Sequence, residues 1–474
     1  MARIVIVSNR VPPPGSRTPA AGGLAIVIKD AIKAGGLWFG WSGRTAPQTS
    51  TDAHIVTHKS VDYATIDLSQ DEYRKFYIGF ANGTLWPLLH FRLGLIEFRR
   101  EHLDGYRAAN ESFARALAKL LRPDDLIWVH DYHLIPLAAA LRSLGTRNRI
   151  GFFLHIPFVP SSVFAALPRG QDLLEDFCAY DVVGFQTTEH RRDFLDSVRQ
   201  ILRFPIDGDG VIFASGRSVC SVVAPVGIDA QAFGKQAERS ATGKNARRLL
   251  NSLAGRNLMI GVDRLDYSKG LQNRFEAYNR LLTRFPERRQ QVSYLQVAAP
   301  SREDVAEYAA LRPVLNRMAG DINGRHGTFD WVPLRYMSQG LARSTLAGFY
   351  RLARIGLVTP LRDGMNLVAH EYVAAQDPGD PGVLILSRFA GVASYFEDAL
   401  IVNPYDPDEI AEAMNEALTM PLEERRSRHQ SLLERLGTLT AASYCSTFLN
   451  ALQGRKADRA QTNRGKGLEA LGHS

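Results

Sequence analysis

The sequence predicts an α/β protein of two doubly wound domains, each a parallel sheet covered by helices. Apolar runs of strand length alternate with helical patterns along most of the chain, as they do in parallel-sheet proteins. The runs are apolar at successive positions, which is typical of strands buried on both faces. With 474 residues, the chain is also too long for one ordinary core. Two such domains would face a central cleft, where ligands of this fold class bind.

Ten apolar runs are the candidate strands. Those of the first half are 3–7, 125–129, 150–154, 181–185 and 221–226, and those of the second half are 257–262, 292–298, 355–360, 382–386 and 399–403. The polar segment 231–255 separates the two series and contains no strong strand pattern. We therefore expect a first domain over 1–235 and a second over 236–438. The basic segment 456–474 has the composition of a disordered tail.

Composition excludes several classes of function. The chain has a formal net charge of +8, but its basic residues are spread over ordinary helices and the tail, so we expect no nucleic-acid partner. Three scattered cysteines, Cys178, Cys220 and Cys445, show neither metal spacing nor a disulfide framework. No apolar run approaches the ~18 residues of a membrane-spanning helix. We therefore expect a cytoplasmic protein that does not contact the membrane.

A strand, a charged loop and a helix follow one another around IGVDRLDYSKGL, residues 260–271. From Leu271 onward, apolar residues recur at intervals of three and four, which places them on one helix face. Such a loop leads from the carboxyl end of a strand to a helix N-terminus, where free N–H groups favour an anion. Arg264 and Lys269 in this loop therefore predict an anionic ligand.

A second loop of the same kind lies in TPLRDGMNLVAHEYVAAQ, residues 359–376. A helix that begins near Leu367 would turn the preceding backbone N–H groups toward the cleft. Asp363 and Glu371 could then accept hydrogen bonds from a ribose while the basic residues bind phosphate, which would indicate a nucleotide-linked ligand. On spacing alone, Asp363 could equally be a helix N-cap and Glu371 an exposed helix charge.

The first domain offers weaker signals of a binding site. Arg10 ends the first strand and could bind an anion. Gly22 and Gly23 before a helix would allow close backbone approach to a ligand, although such a pair is as often simple turn chemistry. Histidines end the strands near 128–137 and 152–158, but no histidine and carboxylate set has metal spacing, so we expect no bound metal.

Two aromatic-rich segments, 38–43 and 77–90, are broken by glycines and other residues that interrupt helix or strand periods. We therefore place Trp41, Tyr77 and Trp86 on loops. There they could wall a sugar pocket, since an aromatic ring offers an apolar face to a sugar. The alternative is a satellite aromatic cluster packed beneath loops.

These motifs together resemble the trehalose-6-phosphate synthases of glycosyltransferase family 20. The resemblance runs in order from about residue 3 to about residue 450, through SNRVP, GGLA, GTLWPLLH, HDYHL, HIPF, VDRLDYSKGL, AAPSRED, INGRHGTFDWVPLRYM and GLVTPLRDGMNLVAHEYVAAQ. It implies a GT-B fold of two Rossmann-like domains, with a C-terminal helix over 439–455 that crosses back to the first. It also implies transfer of glucose from UDP-glucose to glucose 6-phosphate with retention, without a metal or another cofactor.

The resemblance implies a donor site formed mainly by the second domain. Arg264 and Lys269 would hold the diphosphate of UDP-glucose, and Glu371 would bind the ribose hydroxyls. The donor glucose would be bound by Asp363, Gly364, Met365, Asn366 and His155. Gly23 would approach the diphosphate from the first domain.

The resemblance also implies an acceptor site at the opposite wall of the cleft. Asp131 would contact the acceptor sugar. The acceptor phosphate and its surroundings would be met by Arg10, Arg302, Trp41, Tyr77 and Trp86. The residues implied to be catalytic are Arg264, Lys269, Asp131 and His155, and the two cations would stabilise the negative charge that grows on departing UDP.

Four positions depart from the family pattern, namely Val159, Ser162, Arg388 and His370. None is an implied ligand, so these departures bear on donor preference and regulation more than on activity. The donor nucleotide could be UDP, ADP or GDP. Two alternatives remain, a glucosylglycerol-phosphate synthase-like transferase that uses glycerol 3-phosphate and a non-catalytic sugar-phosphate sensor. We also expect a homo-oligomer, either dimer or tetramer, and a separate phosphatase that acts on the product.

Overall fold

A nine-stranded sheet organises the first half of the structure, a computed structural model that describes residues 2–12, 32, 35–302 and 304–455. Within those residues its strands are β1 (Ile4–Arg10), β2 (Gly36–Ala46), β3 (His54–His58), β4 (Val61–Ser69), β5 (Leu126–His130), β6 (Arg149–Leu154), β7 (Val182–Phe185), β8 (Val211–Ala214) and β9 (Arg217–Val223). Their spatial order is β3-β4-β2-β1-β5-β6-β7-β9-β8. The edge strands β3 and β8 run antiparallel to their neighbours, and the strands between them are parallel.

Helices connect the strands of this first sheet. They are α1 (Gln70–Glu72), α2 (Trp86–Leu89), α3 (Arg100–Ala118), α4 (Leu137–Ser143), α5 (Ser161–Phe164), α6 (Gly170–Phe177) and α7 (Thr188–Ser197). Shorter or wider turns occur in the 3₁₀ helices Leu93–Leu95 and Tyr132–Leu134 and in the π-helices Tyr73–Leu85 and Val198–Leu202. Because α1, the first π-helix and α2 follow without a break, we call the stretch 70–89 the wide helix.

A second sheet, parallel throughout, organises the other half of the structure. Its strands are β10 (Asn257–Arg264), β11 (Val292–Ala299), β12 (Leu334–Met337), β13 (Ile355–Val358), β14 (Val383–Ser387) and β15 (Leu400–Val402), in the spatial order β12-β11-β10-β13-β14-β15. The order reverses direction between β10 and β13, which is where ligands bind in sheets of this type.

The helices of the second half precede, connect and follow the strands of that sheet along the chain. They are α8 (Ala230–Ala241), α9 (Lys244–Leu253), α10 (Leu271–Arg284), α11 (Ala306–His326), α12 (Arg343–Leu352), α13 (Leu367–Ala375), α14 (Pro407–Thr419), α15 (Leu422–Thr438) and α16 (Ala441–Leu452), with 3₁₀ helices at Tyr267–Lys269, Pro286–Arg288 and Gly391–Ser394. No helix within the described ranges is long and apolar enough to cross a membrane.

The two sheets confirm the predicted fold class, and each of the ten candidate runs overlaps an observed strand. Five strands were not predicted, namely β2, β3, β4, β8 and β12. β2 is buried at its first six positions and was missed because glycines interrupt its aromatic run. The sequences of β3, β4 and β12 do not give uniformly buried strands: β3 is exposed at all its positions, and burial in β4 is irregular. Three of the four residues of β12 are only half-buried. The continuous apolar pattern of a central parallel strand is absent from such sequences.

The position of the domain boundary stays a prediction. Residue 235 falls inside α8, and α8 packs against α12 and α13 of the second half. Phe233 and Ala237 of α8 are buried in the core cluster that contains those helices. The packing therefore associates all of α8 with the second sheet, although the predicted boundary divides it.

The last described helix, α16, packs on the first sheet. Phe448 stacks on the ring of Trp128 with centroids 4.7 Å apart, and Arg149 Nε donates to the carbonyl oxygen of Leu452 at 2.6 Å. The chain therefore passes between the two halves twice, once before α8 and once before α16. The two crossings touch, because a Cβ atom at Gly227 would lie only 1.8 Å from the carbonyl oxygen of Leu439.

Candidate active site

The two loops singled out in the sequence lie side by side in the cleft. β10 and β13, which precede them, are direct neighbours in the second sheet. The N–H of Leu361 donates to the carbonyl oxygen of Ser268 at 2.8 Å, so each loop holds the other. As predicted, a helix begins at Leu271 after the first loop and at Leu367 after the second.

Lys269 and Asp363 join the two loops through an ion pair with Nζ and Oδ2 2.5 Å apart. The carboxylate also accepts from the N–H of Gly364 and from Nδ2 of Asn366, both at 2.9 Å. Burial opposes ionisation of Asp363, but the charge and hydrogen bond of Lys269, together with the charge of Arg264, hold the pKa below the usual range. The N-cap of α13 is Asn366, which accepts from the N–H of Val368, so the alternative that Asp363 caps this helix is wrong.

Asp266 is the fully buried centre of a charged cluster, which the sequence analysis did not single out. Its Oδ2 lies 3.6 Å from Nη2 of Arg264 and 3.5 Å from Nη1 of Arg302. Burial alone would raise its pKa, but the nearby cations hold it below the usual value. A sequence signal for Asp266 was present, because it lies two residues beyond Arg264 at the end of a strand, where the two side chains can pair.

Arg302 reaches across the cleft from the second half to the first. Its guanidinium carbon lies 3.7 Å from the ring centroid of Trp86, and its Nη2 donates to the hydroxyl of Tyr132 at 3.0 Å. The guanidinium of Arg264 also lies over Trp86, at 5.4 Å. Two arginines of the second half therefore meet on one aromatic ring of the first, a favourable cation–π arrangement.

The predicted aromatic residues are close together, but their placement on loops was wrong. Trp41 lies on β2, and Tyr77 and Trp86 lie on the wide helix. Tyr77 stacks between Tyr73 and His133, with centroid distances of 5.5 and 5.7 Å. A π-helix closes its hydrogen bonds over five residues, so its side chains do not follow the spacing used to recognise an α-helix.

Arg10 lies at the end of β1 and is exposed beside the aromatic wall, with its guanidinium 5.9 Å from the ring of Trp41. Trp41 in turn contacts Tyr77, so Arg10 lies on the same side of the cleft as these rings, which we call the aromatic wall together with Trp86. Gly23, the remaining first-domain residue predicted to bind donor, lies outside the described residues.

Asp131 and His155 follow the neighbouring strands β5 and β6. The carboxylate of Asp131 accepts from the N–H of His155 at 3.3 Å. Burial raises the pKa of Asp131 to about 6 and lowers the pKa of His155 to about 3. A Cβ atom at Gly364 would lie 2.0 Å from the carbonyl oxygen of His155, so the glycine allows the first half to contact the loop of Asp363.

Glu371 is one turn into α13, and its side chain is 12% exposed, so the alternative of an exposed helix charge is wrong. Arg343 at the start of α12 donates from Nε to its Oε1 at 2.8 Å. Burial raises the pKa of Glu371, and Arg343 opposes that shift. The sequence analysis missed Arg343, because nothing in its spacing connects it to a residue 28 positions later.

Arg274 is a further missed residue, fully buried beneath the first loop. It donates to the carbonyl oxygen of Lys269 at 3.2 Å, to Thr359 at 3.0 Å and to Asp263 at 2.6 Å. An arginine on the apolar face of a predicted amphipathic helix was the available signal. A buried charge on that face requires partners, and here they are the ends of β10 and β13.

The described residues contain no group of three histidine, cysteine, aspartate or glutamate side chains placed to hold a metal ion. The cations Arg264 and Lys269 of the two loops are each paired with a carboxylate. Facing parallel sheets with anion-binding loops on one wall and an aromatic wall opposite define the architecture of a GT-B glycosyltransferase.

The chain belongs to glycosyltransferase family 20, whose model matches residues 4–454. It is 46% identical to a trehalose-6-phosphate synthase of Sinorhizobium fredii over 457 residues, which cover 95% of this chain and 98% of the relative. These matches confirm the family resemblance of the motifs.

Two solved structures match with both domains included. A UDP-forming alpha,alpha-trehalose-phosphate synthase from Burkholderia xenovorans, in complex with glucose-6-phosphate, has a TM-score of 0.92 at 46% identity and covers 96% of this chain and 100% of its own. A structure from E. coli bound with UDP-2-fluoro glucose has a TM-score of 0.90 at 45% identity and covers 95% of this chain and 99% of its own. The predicted GT-B fold is thereby confirmed.

Proposed function

We propose that this protein transfers glucose from UDP-glucose to glucose 6-phosphate with retention, forming trehalose 6-phosphate and releasing UDP. The observation that carries the proposal is the cluster in which Arg264, Lys269 and Asp363 meet beside Asp131 and His155. The names of the relatives support the reaction. The glucose-6-phosphate and UDP-2-fluoro glucose complexes of similar structures support an acceptor and a donor of these classes.

On the donor side, Arg264 and Lys269 are held in place before substrate arrives. Asp266 fixes Arg264, and Asp363 fixes Lys269. As the glycosidic bond breaks, negative charge grows on the diphosphate, so two preset cations stabilise the transition state more than the ground state. Because these side chains are already oriented, little reorganisation accompanies the reaction.

The rest of the donor is bound by the second loop. The donor glucose contacts Asp363, the backbone of Gly364, Met365 and Asn366, and His155, while Gly23 approaches the diphosphate. Glu371 accepts hydrogen bonds from the ribose hydroxyls. Because the pKa of His155 is lowered to about 3, the ring is neutral at physiological pH and does not act as a general acid.

On the acceptor side, Arg302 and Arg10 bind the phosphate of glucose 6-phosphate, and Asp131 accepts from a hydroxyl of its sugar. Trp41, Tyr77 and Trp86 pack around that sugar. The pair of phosphate-binding arginines distinguishes a phosphorylated acceptor from a free sugar, since a guanidinium matches the oxygens of phosphate.

Retention through a covalent intermediate would require a carboxylate nucleophile at the anomeric carbon. Asp363 lies on the donor side, but its oxygens already accept from Lys269, Gly364 and Asn366. We therefore infer attack from the face that UDP leaves, where the acceptor oxygen bonds to the anomeric carbon and its proton passes to the departing diphosphate.

The remaining expectations concern cofactors, partners and location. The two cations supply the charge stabilisation that a divalent metal supplies in other transferases, so the proposed reaction needs no metal. We further propose a cytoplasmic homo-oligomer, dimer or tetramer, that binds neither nucleic acid nor membrane. A separate phosphatase would act on its product.

The test incubates purified protein with UDP-glucose, measures UDP release and compares acceptors in the presence of a chelator. We expect fastest release with glucose 6-phosphate, and no loss on chelation. Release with glycerol 3-phosphate alone would indicate the glucosylglycerol-phosphate synthase-like alternative. Binding of glucose 6-phosphate without release would indicate a sensor. Replacing UDP-glucose by its ADP and GDP analogues determines the donor base.

A further inference from the structure

Both ring nitrogens of His155 have side-chain neighbours along the carboxyl edge of the first sheet. Nε2 of Gln186 lies 3.3 Å from Nδ1 of His155, and Nε2 of His155 lies 3.0 Å from Nδ1 of His130. Gln186 and His130 are each 1% exposed. Hydrogen bonds in this buried place are therefore strong, and their direction matters.

The amide of Gln186 has only one possible orientation. Its Oε1 lies 2.9 Å from the backbone nitrogen of Val226, and a backbone N–H can only donate. The other end of the amide is therefore the NH₂ group, which also can only donate. It follows that Nδ1 of His155 accepts and carries no proton.

The proton of His155 must then be on Nε2. Burial lowers the pKa values of His155 and His130, so both rings are neutral and each carries one proton. The Nε2–H of His155 donates to Nδ1 of His130, and the proton of His130 is left on its own Nε2. The four residues lie at the carboxyl ends of four neighbouring strands: Val226 after β9, Gln186 after β7, His155 after β6 and His130 at the end of β5. One chain of hydrogen bonds, all donated in the same direction, therefore crosses these strands.

We propose that Gln186 and His130 are positioning residues that fix His155 with its proton on Nε2. The consequence for the reaction rests on the proposed function. With this tautomer both ring nitrogens of His155 are engaged within the protein, so the ring is held in one orientation beside the site proposed for the donor glucose. The backbone of His155 contacts Asp131 and Gly364, so the residue lies between the sites proposed for the acceptor and the donor.

The titratable groups that face the ring are His130 and Asp131 at the end of β5 and Tyr444 of α16, whose ring centroid is 6.2 Å away. Gln186, from the end of β7, is not titratable. A negative charge introduced at position 186 would therefore raise the pKa of His155, since the carboxyl of Asp131 is the one acidic group among the neighbours named above.

The first test is a ¹⁵N spectrum of the full chain with labelled histidine, in which the signals of His155 are those missing from His155→Asn. We expect Nδ1 at the position of an unprotonated nitrogen and no titration of the ring between about pH 5 and 8. A protonated Nδ1, or a ring that titrates in this range, would overturn the proposal. This result does not depend on activity, so it separates the proposal from the proposed function.

The second test compares Gln186→Glu with the uncharged variant Gln186→Met. A carboxylate can only accept, so in Gln186→Glu we expect His155 to take a proton on Nδ1 and to titrate near neutral pH. We expect kcat with UDP-glucose to fall about tenfold, the scale seen when an orienting partner of a functional histidine is lost. Gln186→Met should lower kcat without a new ionisation. If Gln186→Glu keeps the wild-type pH profile and ring spectrum, the proposal is wrong.

Discussion

The two walls of the cleft are built differently. The wall proposed to bind the donor, here the donor wall, comes from two strand–loop–helix units whose strands are neighbours, and its cations Arg264 and Lys269 are each paired with a carboxylate. The wall proposed to bind the acceptor, here the acceptor wall, collects Arg10, Trp41, the wide helix and Arg302 from separate parts of the chain, and its contacts are mainly aromatic. The two donor-wall cations are each paired with a carboxylate, whereas Arg10 and Arg302 lie against the rings of Trp41 and Trp86, with Asp266 as a further partner of Arg302.

The largest effect should follow from removing a donor-wall cation. We expect Arg264→Ala to lower kcat by ~10² or more, since one preorganised stabiliser of transition-state charge is lost. Initial rates of UDP release measure this. Arg280→Ala is the matched control, because Arg280 pairs with Glu276 on the surface of α10. A decrease in kcat of less than tenfold for Arg264→Ala would mean that Arg264 does not stabilise the charge of the transition state.

The next effect tests whether the aromatic wall orients charge by stacking. We expect Arg302→Lys to raise KM for glucose 6-phosphate about 30-fold, which corresponds to about 2 kcal/mol for a lost charge-assisted contact. Lysine keeps the charge but lacks the planar group that stacks on Trp86. KM for UDP-glucose should change little. Equal changes in both constants would show that the two walls do not act separately.

A smaller effect concerns the support of Glu371. We expect Arg343→Met to raise KM for UDP-glucose about tenfold, about 1.4 kcal/mol, because the buried carboxylate loses its partner and its pKa rises further. Arg343→Lys, which restores a cation, should recover part of the loss. If Arg343→Met instead raises KM for the acceptor, Glu371 is not a donor residue.

The smallest effect is the pH dependence that Asp131 gives to the acceptor wall. Its folded pKa of about 6 exceeds the ordinary 3.8, so the unfolded chain releases this proton first as pH rises. The Asp131 contribution to the free energy of unfolding should therefore decline between those values and then level off. Below about pH 6 the protonated carboxyl is a poorer acceptor, so kcat/KM for glucose 6-phosphate should also fall several-fold.

Urea unfolding and kinetics across that pH range measure both consequences for Asp131. Asp131→Asn should lack the decline in stability, whereas Asp124→Asn, at an exposed site before β5, should retain it. A wild-type stability curve without this decline would contradict the raised pKa.

The same contrast explains what the sequence could predict. The two loops are continuous stretches in which strand, charge and helix follow in order, so local pattern predicted an anion site at Arg264 and Lys269. For Asp363 and Glu371 the same pattern left a helix N-cap and an exposed helix charge as equal alternatives. The acceptor wall needed the family resemblance, because the wide helix hides its period and Arg302 is brought to Trp86 only by the tertiary fold.

Residues that support the site were missed for the same reason. Asp266, Arg343 and Arg274 act through partners that are distant in sequence or through burial that only the folded chain creates. Spacing offered a signal for Asp266, two residues beyond Arg264, and for Arg274, on the apolar face of a predicted helix, but none for Arg343.

The contact between Gly227 and Leu439 limits how the protein can move. Both connections between the halves are in close contact there, so we expect the halves to move by hinge rotation about this point without sliding past each other. Entry of glucose 6-phosphate and escape of UDP would then share one opening movement. A larger side chain at position 227 should alter the rates of both together.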